Sequence, residues 1–283
     1  MAKSIKELLN FGIIIIDKPA GPTSFSVSDY VRKQLGLTKT SHFGTLDPQV
    51  TGVLPIALGR ACKLTGSFLG HDKTYIGIMH THQEHEIKEL QKIIDENFLG
   101  TIKQTPPKKS RVKRQERERD IIRFELLEVS KSKRDFLFIS EVQGGTYIRK
   151  LCSDLGDKIG GAHMLELRRL KAGIFTEDQS VKLYDFDKAW IEHEKGNSKL
   201  LEKIIIPAED AIKNVLPFYE SKSEAVYKLR TGKPLFRGDL EGLSPQDGEF
   251  AVFHKGSFVG IYKLTNESKD ILARPTFVFT NIK

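Results

Sequence analysis

The sequence predicts an α+β fold, or more broadly a mixed sheet with helices, followed by a small β-rich domain. Three features predict it. Strand-like and helix-like segments follow one another without the regular βαβ rhythm of a doubly wound sheet. A helical, charged stretch from Leu183 to about Lys213 ends at a join bracketed by Pro207 and Pro217. Beyond Leu235, short apolar runs are separated by turn signals such as Asp247-Gly248 and Lys255-Gly256, the pattern of a small barrel or sandwich.

The elements follow in order. Ile13 to Ile16 is a continuous β-branched run and reads as a fully buried strand. Gly21-Pro22-Thr23-Ser24 is turn chemistry, and Ser24 or Ser26 is placed to cap a helix carrying Val27, Tyr30, Val31 and Leu35. Thr38 to Gly52 reads as a loop, after which apolar sequence resumes at Val53 to Leu58. Tyr75 to His82 reads as a strand and Ile87 to Phe98 as a helix. Ile121 to Val129 and Phe136 to Val142 read as strands, and Ile148 to Ile159 as a helix.

With 39% hydrophobic and 29% charged residues over 283 positions, the composition is that of a folded globular chain. The apolar run Phe11 to Ile16 is far short of the roughly 20 residues a membrane span needs. Lys3, Lys6 and Glu7 do not make a signal peptide, so a cytoplasmic protein is expected. Cys62 and Cys152 stand in unrelated surroundings and suit neither a disulfide framework nor a cysteine zinc site. A net charge of +8 favours polyanions without naming one. The charge is uneven: nine basic residues against three acidic ones lie between Lys103 and Arg123, entered through Pro106-Pro107. This reads either as a solvated face or as a loop that tracks a phosphate backbone, and the proline-stiffened entry favours the second.

Two segments are candidates for chemistry. Asp47 stands in His42-Phe43-Gly44-Thr45-Leu46-Asp47-Pro48, in the loop between apolar elements; an Asp-Pro pair alone is usually an ordinary turn. Gly144-Gly145-Thr146-Tyr147-Ile148-Arg149 lets a strand end and a helix begin, which can set Arg149 at the mouth of a pocket to pair with a carboxylate. His80 and His82 share a strand face, but His85 falls beyond it, so a zinc site lacks an evident third ligand. No phosphate-binding glycine loop or dinucleotide fingerprint occurs, and no cofactor or metal is expected.

Taken together these motifs resemble the TruB/dyskerin family of pseudouridine synthases. The resemblance rests on Ile16-Asp17-Lys18-Pro19-Ala20-Gly21-Pro22-Thr23-Ser24, on the Asp47 segment with Thr51-Gly52-Val53-Leu54-Pro55, and on Lys73-Thr74-Tyr75. It continues through Gln104-Thr105-Pro106-Pro107, Gly145-Thr146-Tyr147-Ile148-Arg149 and Ala162 to Arg169. It implies a mainly antiparallel central sheet flanked by helices over residues 1–214 and a PUA-like RNA-binding barrel over 215–283. It also implies that Asp47 acts as nucleophile or base, Tyr75 stacks on the flipped uracil and Arg149 pairs with Asp47. His42, Leu167, Lys18 and Tyr147 are implied to meet the substrate, with Lys108, Lys109, Arg111, Lys113, Arg114, Arg168 and Arg169 on RNA. Such chemistry needs the base extruded and stacked before its glycosidic bond breaks.

Met79-His80-Thr81-His82 and the Pro106 to Arg114 run resemble the archaeal guide-dependent branch. That branch implies a box H/ACA particle with guide RNA, small partner proteins, and rRNA or the tRNA TΨC loop as substrate. A stand-alone tRNA enzyme and a catalytically silent RNA-binding scaffold are the alternatives. Three departures stand out. Phe43 occupies a position that is usually small in the family, the PUA-like region is short, and the amino-terminal extension that often completes it is nearly missing from this sequence.

Overall fold

The computed structural model describes residues 3–106, 115–242, 245, 247–266 and 270–280. Lys108, Lys109, Arg111, Lys113 and Arg114, expected on RNA, lie outside the described residues. The chain falls into two compact units, Met1–Ile205 and Ile206–Lys283.

The strands of the first unit are β1 (Gly12–Lys18), β2 (Thr40–His42), β3 (Thr51–Leu58), β4 (Lys73–Thr81), β5 (Gly100–Gln104), β6 (Arg117–Val129), β7 (Asp135–Val142), β8 (Ala162–Ala172), β9 (Phe175–Thr176) and β10 (Val181–Lys182). The short β11 (Ile205–Pro207) lies at the boundary. The helices are α1 (Ile5–Asn10), α2 (Ser24–Gln34), α3 (Thr65–Leu69), α4 (Ile87–Asn97), α5 (Ile148–Ile159), α6 (Leu183–Glu194) and α7 (Lys199–Ile204). The main path of the sheet runs β10-β1-β3-β8-β4-β7-β6-β5. Its β1–β10 and β3–β8 contacts are parallel and its other paired strands antiparallel. This is a mixed, mainly antiparallel sheet with helices, as expected.

Sequence periodicity explains most of this. The Ile13–Ile16 run of β1 is buried on both faces, and on one of them Ile14 and Ile16 cluster with Val27 and Val31 of α2 and Phe186 of α6. In α5, Ile148, Leu151, Cys152, Leu155 and Ile159 fall on one stripe and bury against β4, β6 and β7 residues such as Met79, Phe124 and Phe138. α5 ends at Gly160 in the left-handed conformation.

Three details differ from expectation. Thr23, not Ser24 or Ser26, caps α2, its hydroxyl accepting from the Ser26 N–H at 3.0 Å; Ser24 is already the first helical residue and its hydroxyl points elsewhere. The Thr38–Gly52 loop contains a strand, β2. Finally, β5 and β8 were not foreseen. β5 is an edge strand with mostly exposed side chains, and β8 puts a charged residue, Arg169, among its inward positions, so neither shows apolar alternation.

Phe43 is 2% exposed, stacked on Phe68 with ring centroids 4.7 Å apart and on Phe175 at 5.9 Å. The bulky residue at this position therefore anchors the loop to the interior and presents no ring to RNA.

The second unit contains α8 (Ala208–Lys213), α9 (Ser223–Arg230) and the strands β12 (Phe218–Glu220), β13 (Leu235–Phe236), β14 (Glu249–His254), β15 (Ser257–Leu264) and β16 (Ile271–Val278). They form a five-stranded sheet in the order β12-β14-β15-β16-β13. Phe250, Val252 and Tyr262 pack with Leu229 of α9, and the Tyr262 hydroxyl donates to the Leu229 carbonyl at 3.2 Å.

Phe43→Ala empties one place in a packed aromatic trio, so unfolding stability in urea is expected to fall by about 3 kcal/mol or more. A loss below about 1 kcal/mol would show that the ring is not a core residue.

Candidate active site

The loop from Phe43 to Val50 joins β2 to β3, and backbone groups on both sides of Asp47 are held. The Phe43 N–H donates to the Pro55 carbonyl at 2.9 Å. Ser24 Oγ accepts from the Leu46 N–H at 2.8 Å and donates to the Leu46 carbonyl at 3.0 Å. On the other side of Asp47, the Pro48 carbonyl accepts from Lys18 Nζ at 3.0 Å and from the Gly21 N–H at 2.9 Å. The Val50 N–H closes the turn on the Asp47 carbonyl at 3.0 Å. The Asp47 side chain projects from a backbone with little freedom to move, which is what reactive geometry requires.

Gly44 and Arg169 complete the hold. Arg169 is 1% exposed; its Nε donates to the Val53 carbonyl at 2.8 Å and its Nη2 to the Gly44 carbonyl at 3.1 Å. The same guanidinium engages the Tyr75 hydroxyl. Burial pulls Arg169 below its usual value, opposed by Tyr75, although an arginine stays charged in any case. Gly44 has φ +91°, and a Cβ there would lie 3.3 Å from Arg169 Nη1. Gly52, paired with Arg169 where β3 runs beside β8, has φ +100° and no room at all: a Cβ would lie 2.2 Å from the Arg169 carbonyl oxygen. Only glycine permits these close approaches.

Arg149 is the second residue of α5 and its Nη1 lies 3.1 Å from Asp47 Oδ2. The two side chains are 48% and 44% exposed, so the pair is accessible from solvent. The α5 entry is itself fixed: buried Gln104 accepts from the Tyr147 N–H at 2.8 Å and donates to the Tyr147 carbonyl at 3.2 Å. Tyr75 and Leu167 belong to one apolar cluster with Leu46, Val50 and Ile148. Tyr75 on β4 faces Arg169 of β8 in register, and Leu167 faces Gly77 two residues on.

The structure thus brings together Asp47, Arg149, Tyr75, Leu167 and, half-buried beside them, Tyr147. His42 bonds Thr45 within the loop at 3.2 Å; burial, reinforced by the Arg169 charge, lowers its pKa and favours the neutral ring. Three expected contact residues sit differently. Lys18 is fully buried, its ammonium on the Pro19 and Pro48 carbonyls, so it supports the loop from below and does not face a substrate. Arg169 is internal, as described, and has no route to an RNA phosphate. Arg168 donates from Nη1 to Asp17 at 2.8 Å and from Nε to Glu177 at 2.6 Å, so its charge is already matched. Ser24 reads from the sequence as a candidate helix cap only, and Gln104 and Lys73 carry no signal of their own beyond their motifs. Each lies in a motif the sequence displays, but a serine, glutamine or lysine carries no mark that it will be buried.

The histidines form a separate group at the far end of β4. His80 Nδ1 is 2.7 Å from Asp135 Oδ1, and His82 Nε2 is 3.3 Å from His163 Nδ1. Among the described residues no group of three or more His, Cys, Asp or Glu is arranged to hold a metal ion.

The sequence profile of a family described as TruB family pseudouridylate synthase (N terminal domain) matches residues 32–148, and one described as tRNA pseudouridylate synthase B C-terminal domain matches 149–213. A protein of Nanoarchaeum equitans named Probable tRNA pseudouridine synthase B is 39% identical over 287 residues, covering 99% of this chain and 81% of that protein. A protein of the same name from Methanopyrus kandleri is 41% identical over 271 residues, covering 93% and 79%. Among solved structures, a chain in a Cbf5-Nop10-Gar1 complex superposes with a TM-score of 0.87 at 35% identity, over 98% of this chain and 88% of that one. A chain in an H/ACA RNP bound to a substrate RNA containing 2′-deoxyuridine gives 0.85 at 33%, over 98% and 88%.

Lys73 generates a pH test of this packing. Its ammonium caps the Leu69 carbonyl at 2.9 Å, and burial, with Arg169 adding repulsion and Asp72 opposing, pulls it down to about 8. Between pH 8 and 10.5 the unfolded chain therefore holds a proton that the folded chain has lost, and stability rises with pH there. Relative to Lys73→Met, the wild type is expected to gain on the order of 2 kcal/mol in urea unfolding between pH 7.5 and 10. Parallel pH profiles for the two proteins would contradict it.

Proposed function

The chain belongs to the TruB family of pseudouridylate synthases, isomerases that act on RNA, and we propose that it modifies uridines as the catalytic subunit of a guide-RNA particle of the box H/ACA type. The observation that carries the catalytic part is the accessible Asp47–Arg149 pair at 3.1 Å, on a loop fixed on both sides.

In the proposed reaction Asp47 acts at the sugar of the extruded uridine, either attacking C1′ or removing the C2′ proton. The N1–C1′ bond breaks and uracil leaves with the electron pair and rotates; it rejoins C1′ through C5 as the Asp47–C1′ bond breaks or the C2′ proton is returned, and C5 then loses its proton while N1 gains one. No atom is gained or lost over the whole reaction. Arg149 gives the carboxylate a fixed cationic partner and Leu167 lines the base site. Tyr75 takes the base face; with 6% of Tyr75 exposed, a stacked base replaces side-chain contacts at that ring and not only water.

The likeness to chains from a Cbf5-Nop10-Gar1 complex and from an H/ACA RNP bound to a substrate RNA supports guided action on RNA with small partner proteins; rRNA and tRNA are the substrates we propose for it. The names of the archaeal relatives support, as strongly, a second reading: unaided modification of tRNA. The five-stranded second unit supports a PUA-like RNA-binding role for the C-terminal region. Among the described residues no helix is long and apolar enough to cross a membrane.

Asp47→Ala is expected to lower pseudouridine formation at least about a thousandfold while RNA affinity stays within about threefold. Retained activity would remove Asp47 from the chemistry. An unmodified tRNA transcript offered to the protein alone, and again with guide RNA and partner proteins, separates the two modes. Turnover only in the assembled particle is expected; efficient, site-specific turnover by the protein alone favours the second reading.

A further inference from the structure

At the entry to α5, where Tyr147 caps the helix two residues ahead of Arg149, is a hollow lined among the described residues by Gln104, Pro106, Arg117, Arg119, Gly145 and Tyr147. Two arginines stand two residues apart on β6, so their side chains leave the strand on the same side. Neither is paired with a carboxylate among the described residues; Arg119 donates only to the backbone carbonyl of Glu118. The Arg119 guanidinium lies along Gly145, where a Cβ would come within 3.2 Å of Nη2. Tyr147 and Pro106 supply the apolar part of the lining.

The polar part is restricted. The carbonyl oxygen of Gln104 is occupied by the Tyr147 N–H, and its amide nitrogen by the Tyr147 carbonyl. The hollow thus offers unneutralised positive charge and a ring, with its one amide largely committed to holding the loop. That combination suits a phosphate and an adjoining base face, and it does not suit discrimination among bases by their edges. It also stands two residues before Arg149, on the same backbone that Gln104 clasps.

Resting on the function proposed above, we propose that this hollow is a subsite for the substrate-strand nucleotide next to the target uridine. Arg117 and Arg119 pair with its phosphate, and its base lies against Tyr147 and Pro106 without sequence preference. Filling the subsite sets the register of the strand, so that the next nucleotide is the one presented to Asp47. The arginines are binding residues and take no part in the bond changes.

The test uses the unmodified tRNA transcript, in whichever of the two conditions above supports turnover by the full-length protein. Arg117→Gln/Arg119→Gln is expected to raise KM about tenfold and to make the slope of log KM against log salt shallower by about one. A charge-matched control, Lys182→Gln/Lys188→Gln, removes two positive charges at the β10 edge, the opposite end of the sheet path from β5 and β6. It is expected to change KM less than twofold. Should the double variant fold poorly, Arg117→Gln alone, at an exposed strand end, is expected to show about a threefold rise in KM. Changing the flanking base is expected to alter KM less than about threefold in the wild type. Equal effects of the arginine variants and the control would overturn the subsite while leaving the proposed function intact. A wild type that forms no pseudouridine in either condition removes the proposed function, and the subsite with it.

Discussion

A guanidinium taken out of water must recover its lost hydration from the protein, or the fold does not form. Arg169 meets that demand by donating to the Val53 and Gly44 carbonyls and engaging the Tyr75 hydroxyl. These partners lie on three parts of the chain: β3, the loop carrying Asp47, and β4. Because the charge cannot be neutralised, the three must stay where its donors can reach them. The demand also reaches the sequence, since Gly44 and Gly52 leave space where any other side chain would press on Arg169. The Asp47 loop, Tyr75 and the sheet are thereby held in one arrangement.

Around this brace the remaining polar groups repeat the same logic with smaller stakes. Ser24, Lys18 and Gln104 are buried, and each spends its hydrogen bonds on backbone groups next to a functional residue: Leu46, Pro48 and Tyr147 respectively. Buried polar groups satisfied in this way rigidify a site, because moving the loop would strand them. The reactive pair is built differently. Asp47 and Arg149 remain about half exposed, with their backbones fixed and their side chains open to a ligand. Rigidity lies beneath and access above.

The same contrast orders the arginines. Arg169 is internal, Arg168 is matched by Asp17 and Glu177, Arg149 is matched by Asp47, and Arg117 and Arg119 have no carboxylate partner among the described residues. Net charge and clustering treat these five alike. Their environments assign them to a brace, a surface tie, a reactive pair and a phosphate-facing hollow.

The sequence by itself determined the β1 strand, the α2, α4 and α5 helices with the stripe from Ile148 to Ile159, the turn at Asp47 and the glycine pair before Arg149, because these follow from local periodicity and turn chemistry. Its motifs also marked Asp47 and Arg149 as partners. Only the tertiary structure decided which polar residues go inside. Lys18, Arg168 and Arg169 read from sequence as contacts to substrate, since lysine and arginine are ordinarily exposed. What reverses that is the arrival of carbonyls and carboxylates from distant segments, 30 residues away for Lys18 and 116 for Arg169. β8 went unforeseen for the same reason: a charged residue at an inward position breaks the alternation that marks a strand, and the partners that make it tolerable lie on other strands.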